Sequence, residues 1–269
     1  MSYKLICLDV DGTLLNDEKR VPESVKESLK RAYSMGIRIA LITGRMPVAA
    51  ELVEKELSIP CIKACNAGTY ILLGEECIHN RHLSFETAQR IYETFLVDYH
   101  IPLWIFQGRK WYVTSVDAYV DRESRIINHQ PEIGDLEALA KVWKMKGTGP
   151  NKLLIGAEPE IICQVQARMK AEGPSGVDVA RSSEIYLEIF PEGANKGEAL
   201  EAICRSLAIS PEETIAFGDQ ELDIPMLKKA GTAVAMGNAI EELKELADFV
   251  TRSNNDGGIA FGLNHYLSI

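Results

Sequence analysis

The chain has 269 residues, 46% of them hydrophobic and 25% charged, a balance that supports a buried core and excludes a disordered or fibrous chain. Its 29 basic residues against 39 acidic ones leave a formal net charge of −10, with no basic patch to neutralise the phosphates of a nucleic acid, so nucleic acid is excluded as a partner. A small phosphorylated substrate is not excluded, because one lysine and one metal ion can meet its charge locally. No apolar run approaches the ~18 residues needed to cross a bilayer. The start Met1-Ser2-Tyr3-Lys4 leads straight into a strand with no secretory signal. The expectation is a cytoplasmic protein with no membrane partner. Cys7, Cys163 and Cys204 fall in apolar-periodic segments and read as buried thiols, while Cys61 and Cys65 lack the second pair or histidine cluster that completes a zinc site.

In chain order, Leu5, Ile6, Cys7 and Leu8 form an apolar run, the pattern of a strand buried on both faces within a parallel sheet, and it ends at Asp9. Pro22 opens an amphipathic helix with Val25, Leu29 and Ala32 at helical spacing, and Gly36 stops it. A second strand is expected over 37–42, a helix over 48–57 and a short strand from Pro60 to Cys65. Such βαβ repeats imply a parallel sheet with right-handed crossovers. The rhythm then changes: a helix over 85–99, strands over 103–106 and 111–114, a mixed region, a strand over 152–155, a helix over 159–170 and strands over 177–180 and 185–189. Neighbouring strands with hairpin signals suggest an α+β unit with an antiparallel sheet. After Pro191 the alternation returns, with helices over 196–207, 224–230 and 239–246 and strands over 214–217, 232–235 and 249–250. The fold class expected is α/β, a Rossmann-like doubly wound parallel-sheet core (1–82 plus 191–269) into which an α+β domain (83–190) is inserted. Linkers near 82 and 191 would then act as hinges.

Four clusters fall at the carboxyl ends of expected core strands or the starts of helices, where open α/β sheets bind ligands. They are Asp9 with Asp11, Thr43-Gly44, Lys196 and Gly218-Asp219 with Asp223. Each alone has a plainer reading: an acidic turn, an ordinary turn, a solvated lysine, or carboxylates at the favoured end of a helix. Together they supply what phosphoryl transfer requires. Two carboxylates so close repel each other in an apolar setting, and a hard cation bound through oxygen relieves this. Asp9 and Asp219 can offer oxygens to Mg2+, Asp11 can act as general acid and base, and Thr43 and Lys196 can hold phosphoryl oxygens.

The segments Asp9-Val-Asp-Gly-Thr-Leu-Leu, Thr43-Gly-Arg, Gly193-Ala-Asn-Lys-Gly and Gly218-Asp219 with Asp223 resemble the four motifs of the haloacid dehalogenase superfamily. Ala235-Met-Gly-Asn-Ala, Ala247-Asp-Phe-Val-Thr and Asp256-Gly-Gly-Ile are similar to its Cof-type phosphatase branch, which carries a large α/β (type IIB) cap. The resemblance spans essentially the whole chain. It implies Asp9 as a nucleophile forming an aspartyl-phosphate and Asp11 as general acid, then base. It also implies Mg2+ on the Asp9 side chain, the Asp11 backbone carbonyl and Asp219. Thr43, the Gly44 backbone and Lys196 would contact phosphate, with Asp223 supporting the metal and the lysine. Arg45, just past the second motif, and Asn66 are further candidates for substrate contact, and cap residues Arg181 and Tyr186 for facing the crevice. Two departures stand out: Leu222 occupies the usual asparagine position before Asp223, and Asn66-Ala67-Gly68 replaces the common Asn-Gly-Ala. Loss of that asparagine amide could cost about 2 to 4 kcal/mol of transition-state stabilisation. The function expected is Mg2+-dependent hydrolysis of a small phosphorylated metabolite, a sugar phosphate or nucleotide-like cofactor, by a monomer or weak homodimer. The alternatives are a phosphomutase, or a phosphometabolite-binding protein with weakened catalysis.

Overall fold

The structure, a computed structural model, describes residues 3–269. Met1 and Ser2, read above as leading directly into the first strand, lie outside the described residues. The chain divides into two compact units, one of Met1–His79 with Asn195–Ile269 and one of Asn80–Ala194.

The first unit begins β1 (Leu5–Leu8), α1 (Glu23–Ser34), β2 (Arg38–Ile42), α2 (Pro47–Leu57), β3 (Ile62–Cys65), β4 (Tyr70–Leu73) and β5 (Glu76–Asn80). All four residues of β1 are buried, because its neighbours flank it on both sides and helices cover both faces. α1 turns Val25, Leu29 and Ala32 inward, as their spacing dictates. The second unit contains α3 (Phe85–Phe95), β6 (Trp104–Gln107), β7 (Lys110–Val113), α4 (Ala118–Ile127), β8 (Glu132–Ile133), α5 (Leu136–Lys146), β9 (Lys152–Gly156), α6 (Pro159–Glu172), β10 (Val177–Ser183) and β11 (Tyr186–Pro191). The chain then returns to the first unit with α7 (Lys196–Leu207), β12 (Thr214–Gly218), α8 (Ile224–Lys229), β13 (Thr232–Ala235), α9 (Glu241–Leu246), β14 (Phe249–Val250) and α10 (Gly258–Leu267).

The first sheet runs β14-β13-β12-β1-β2-β3-β4-β5. The six strands from β14 to β3 are parallel, and β4 folds back antiparallel on β3. β1 is the switch point: the chain moves from it to β2 on one side and later to β12 on the other. The carboxyl ends of these strands therefore open a crevice. The second sheet, β10-β11-β9-β6-β7-β8, is antiparallel except for the β7–β8 pair. One face of that sheet packs its own core of Ile105, Leu153, Ile155, Leu187 and Ile189 with α3 and α6 residues.

Several details differ from the sequence expectation. The helix expected over 85–99 stops at Phe95, and a separate 3-10 turn, Val97–Tyr99, follows. The β4–β5 hairpin, α4, α5 and α10 were not anticipated. Cys7 and Cys204 are buried as expected, but Cys163 is exposed. The core-facing stripe of α6 is Ile162, Val165 and Met169, which leaves Cys163 on the opposite face. None of the helices formed by the described residues is long and apolar enough to cross a membrane.

The altered order Asn66-Ala67-Gly68 has a steric cause. All three residues have positive φ, +52°, +61° and +91°. A Cβ on Gly68 would lie 2.6 Å from the Cβ of Ala199 in α7, so glycine is required there. Ala67, by contrast, carries the left-handed strain of about 1–2 kcal/mol that a side chain imposes. Gly68→Ala is expected to lower stability by more than 1 kcal/mol, roughly, and Ala67→Gly to leave it unchanged or slightly raised. Thermal or urea unfolding of the two variants checks this; a tolerated Gly68→Ala would contradict the packing described.

Candidate active site

Asp9 follows β1 directly, its backbone N–H still donating to the Phe217 carbonyl of β12 at 3.1 Å. Asp219 follows β12, and Asp223 closes the 3-10 turn Glu221–Asp223 that leads into α8. Lys196 is the first residue of α7. Asn195 caps that helix, its side chain accepting the N–H groups of Gly197 and Glu198 at 2.9 and 3.0 Å. The cap fixes where the lysine leaves the backbone, so four residues from three distant segments meet.

The Lys196 ammonium donates to Asp9 Oδ1 at 2.5 Å and also to Asp223 Oδ1. Asp9, Lys196, Asp219 and Asp223 are all buried, at 6%, 7%, 3% and 1% exposure. Asp223 has no oxygen to spare: its Oδ2 accepts the backbone N–H groups of Asp219 and Gln220 at 2.9 and 3.0 Å. It therefore holds the lysine on one side and the Asp219 backbone on the other. Thr13 Oγ1 donates to Asp219 Oδ1 at 2.8 Å, and Gln220 Nε2 to Oδ2 at 3.1 Å. Gly12, at φ +84°, lets the loop after β1 lie against Asp219, where any Cβ would collide with the carboxylate.

Charge does not balance in this cluster. Burial pushes the Asp9 carboxyl well above its usual range, the Asp223 and Asp219 charges push it further, and Lys196 only partly opposes them. Burial likewise raises Asp219. Burial works to lower Lys196, but the Asp9 and Asp223 carboxylates more than offset it, so the ammonium stays charged. Three carboxylates facing one ammonium leave an excess of negative charge in low dielectric. Oxygens of Asp9, Asp219 and Asp223 lie within 4.8 Å of one another. All-oxygen donors with excess negative charge fit a hard divalent cation such as Mg2+.

Asp11 lies apart from that cluster. Its side chain is exposed and gripped by Arg45, Nε to Oδ2 and Nη2 to Oδ1, both at 2.8 Å, with Lys19 Nζ at 3.1 Å. Desolvation, the largest single influence, raises the carboxyl, but the Arg45 fork and Lys19 together outweigh it and hold the carboxyl at about 2. The mutual repulsion anticipated for Asp9 and Asp11 is thus resolved by separate partners: a lysine for one, an arginine and a lysine for the other.

The remaining candidates sit at neighbouring strand ends. Thr43, 1% exposed, ends β2; its Oγ1 accepts the Arg45 N–H at 3.1 Å. Thr43 and Gly44 precede α2 by several residues, since that helix starts at Pro47, so they occupy a loop and not a helix start. Asn66 ends β3, with its N–H on the Arg45 carbonyl at 2.9 Å. Its side chain is fully buried and neither Nδ2 nor Oδ1 has a hydrogen-bond partner. Leu222 is 43% exposed beside Asp223. Arg181 and Tyr186 lie in the second unit, where the Tyr186 hydroxyl donates to Glu123 Oε2 at 3.4 Å. Lys19 and Thr13 were not singled out from sequence. Thr13 lies inside the first motif, whereas nothing local marks Lys19.

A lysine-bridged carboxylate cluster thus lies at the switch point of a parallel sheet, where open α/β folds bind their ligands. Residues 6–263 match the haloacid dehalogenase-like hydrolase family, and the chain belongs to it. It is 29% identical to the 5-amino-6-(5-phospho-D-ribitylamino)uracil phosphatase YwtE of Bacillus subtilis, over 98% of each chain. It is also 29% identical to the phosphatase YwpJ of Bacillus subtilis, over 98% of this chain and 100% of that one. Among solved structures, a haloacid dehalogenase-like hydrolase from Bacteroides thetaiotaomicron superposes with a TM-score of 0.88 at 28% identity, covering 99% of this chain and 100% of that one. The HAD subclass IIB sugar phosphatase BT4131 superposes with a TM-score of 0.81 at 25% identity, covering 99% and 100%.

The sign of the Asp11 contribution follows from its lowered pKa. It stabilises the fold above the unfolded value of about 3.9, and the contribution disappears as pH falls towards 2. Arg45→Met removes the main partner, so acid unfolding is expected to begin at a higher pH than in the wild type. The difference is small for so exposed a pair and shrinks with added salt. Identical acid-unfolding profiles at low salt would contradict the assignment.

Proposed function

We propose that the chain hydrolyses a small phosphorylated metabolite, a sugar phosphate or nucleotide-like cofactor, through an aspartyl-phosphate on Asp9 with Mg2+ as cofactor. The observation that carries this reading is the buried Asp9 carboxylate held on Lys196 at the sheet's switch point, with Asp219 beside it. The relatives named as phosphatases, one of them for a phosphorylated ribityl compound, and the structural neighbour named as a sugar phosphatase support the substrate class.

In this reading Lys196 occupies Asp9 Oδ1 and orients the carboxylate, which leaves Oδ2 to attack phosphorus. Its attack forms the Asp9–phosphate bond and breaks the bond to the substrate oxygen, to which Asp11 delivers a proton. Asp11 then takes a proton from water, whose oxygen attacks the same phosphorus and releases Asp9 and inorganic phosphate. For Asp11 to carry a proton, the Arg45 fork must let go of it, and the substrate phosphate is the partner that draws Arg45 away. Thr43, the Gly44 backbone and Lys196 hold the phosphoryl oxygens, whereas the unpartnered Asn66 amide is fully buried and would need to be uncovered to reach a substrate. The Asp9 and Asp219 side chains and the Asp11 carbonyl would hold Mg2+, which when bound would mask the phosphoryl charge that repels the nucleophile. Asp223 keeps the lysine and the Asp219 backbone in place. The Asn80–Ala194 unit selects the leaving group as a cap.

With p-nitrophenyl phosphate and Mg2+, the wild type is expected to release phosphate and Asp9→Asn to lose at least about 10³-fold in kcat. Equal rates would overturn the mechanism. Leu222→Asn restores the amide common in the family and is expected to raise kcat by on the order of 10²; an unchanged rate would show that this site works without it. Because the ionised forms of Asp9 and Asp219 are disfavoured by burial, their charge destabilises the fold as pH rises. Mg2+ is therefore expected to raise the melting temperature more at pH 8 than at pH 5, by differential scanning fluorimetry. No shift at either pH would argue against a cation at the cluster.

A further inference from the structure

The loop between β1 and α1 carries Asp11, Thr13 and Lys19, and it is tied down from the far end of the chain by three asparagines. Asn238 Nδ2 donates to the Gly12 carbonyl at 2.8 Å, and Asn238 Oδ1 accepts the Asn254 N–H at 2.9 Å. Asn254 Nδ2 reaches the Leu15 carbonyl at 3.0 Å and Asp17 Oδ1 at 3.2 Å. Asn255 and Asp17 exchange a pair of bonds, Nδ2 to Oδ2 at 2.9 Å and the Asp17 N–H to Oδ1 at 3.0 Å. Asn254 is 4% exposed, so its amide is committed to this purpose. Asn238 follows β13 and the other two occupy a 3-10 turn after β14, so the end of the sheet remote in sequence holds the loop at its centre.

What the loop delivers makes this more than a structural clasp. Thr13 donates to one oxygen of Asp219, Gly12 lies against the same carboxylate, and Lys19, at φ +59°, donates to Asp11. The bonds at Gly12 and Leu15 bracket Thr13, and those at Asp17 lie two residues from Lys19. Displacing the bracket therefore moves Asp219's partner and Asp11's partner together.

We infer that Asn238, Asn254 and Asn255 are positioning residues for the reaction, setting the loop that places the Asp11 and Asp219 carboxylates. This rests on the phosphatase reading above. A clasp that served stability alone would lower the melting temperature without changing turnover. A positioning role lowers kcat while KM stays nearly constant, because ground-state binding of the phosphoryl group does not use these side chains.

The test uses Asn238→Ala, Asn238→Asp and Asn254→Ala in the full chain, with p-nitrophenyl phosphate and Mg2+. Asn238 is exposed, so its variants keep the fold even where Asn254→Ala does not. Asn238→Ala is expected to reduce kcat roughly tenfold with KM changed less than about twofold. Asn238→Asp, which keeps the acceptor for the Asn254 N–H, recovers part of that loss. Hydrogen exchange read by mass spectrometry is expected to quicken at residues 12–19 while β1 and β12 keep wild-type protection. Wild-type kcat in Asn238→Ala, or unchanged exchange at 12–19, overturns the inference. A wild type that releases no phosphate refutes the phosphatase reading alone, and the exchange at 12–19 then decides whether the asparagines set the loop.

Discussion

Lys196 is the interaction on which the site depends. Its ammonium is the one positive charge among three buried carboxylates, and it is placed by a helix cap and not by a flexible loop. Buried charge survives only when paired and hydrogen-bonded. Removing the lysine would strand Asp9 and Asp223 in low dielectric, and with Asp223 would go the backbone anchor of Asp219. The same lysine leaves the cluster short of positive charge. That deficit is the physical reason the site suits a divalent cation.

The carboxylates divide by environment. Asp9 is dry and raised, whereas Asp11, two residues on, is wet and held ionised by Arg45 and Lys19. The split runs opposite to the roles proposed for the two groups: Asp9 needs Lys196, and a cation when bound, to stay a carboxylate, and Asp11 must be released by Arg45 before it can carry a proton. The chain turns sharply just after Asp11, where Gly12, with a left-handed backbone, lies against Asp219.

Much of the core was legible because parallel strands buried on both faces read as short apolar runs, and their ends mark the ligand crevice. β1, β13, α7 and the two-residue β14 lie where the pattern puts them. Other elements hid for identifiable reasons. α10 contains Gly258 and Gly262, which read as loop signals; Gly262 is there because a Cβ would strike the Phe217 ring. α4 buries only Val120 and Ser124, too little for a visible stripe, and β5 is mostly exposed and lacks alternation. In the site, Asp9, Lys196, Asp219 and Asp223 were legible from position at strand and helix ends. The partners of Asp11 were not, since Arg45 and Lys19 reach it through space. Nor were the asparagines that hold its loop, which lie more than 220 residues away.

The central claim is that Asp9 becomes covalently phosphorylated. Turning over Asp11→Asn enzyme, in which hydrolysis of the intermediate is slowed, then quenching in acid and reducing with borohydride converts an acyl phosphate to an alcohol. Peptide mass spectrometry then reads the position. The account predicts homoserine at position 9 and nowhere else; an unmodified Asp9 after substrate turnover, or modification at another carboxylate, would contradict it.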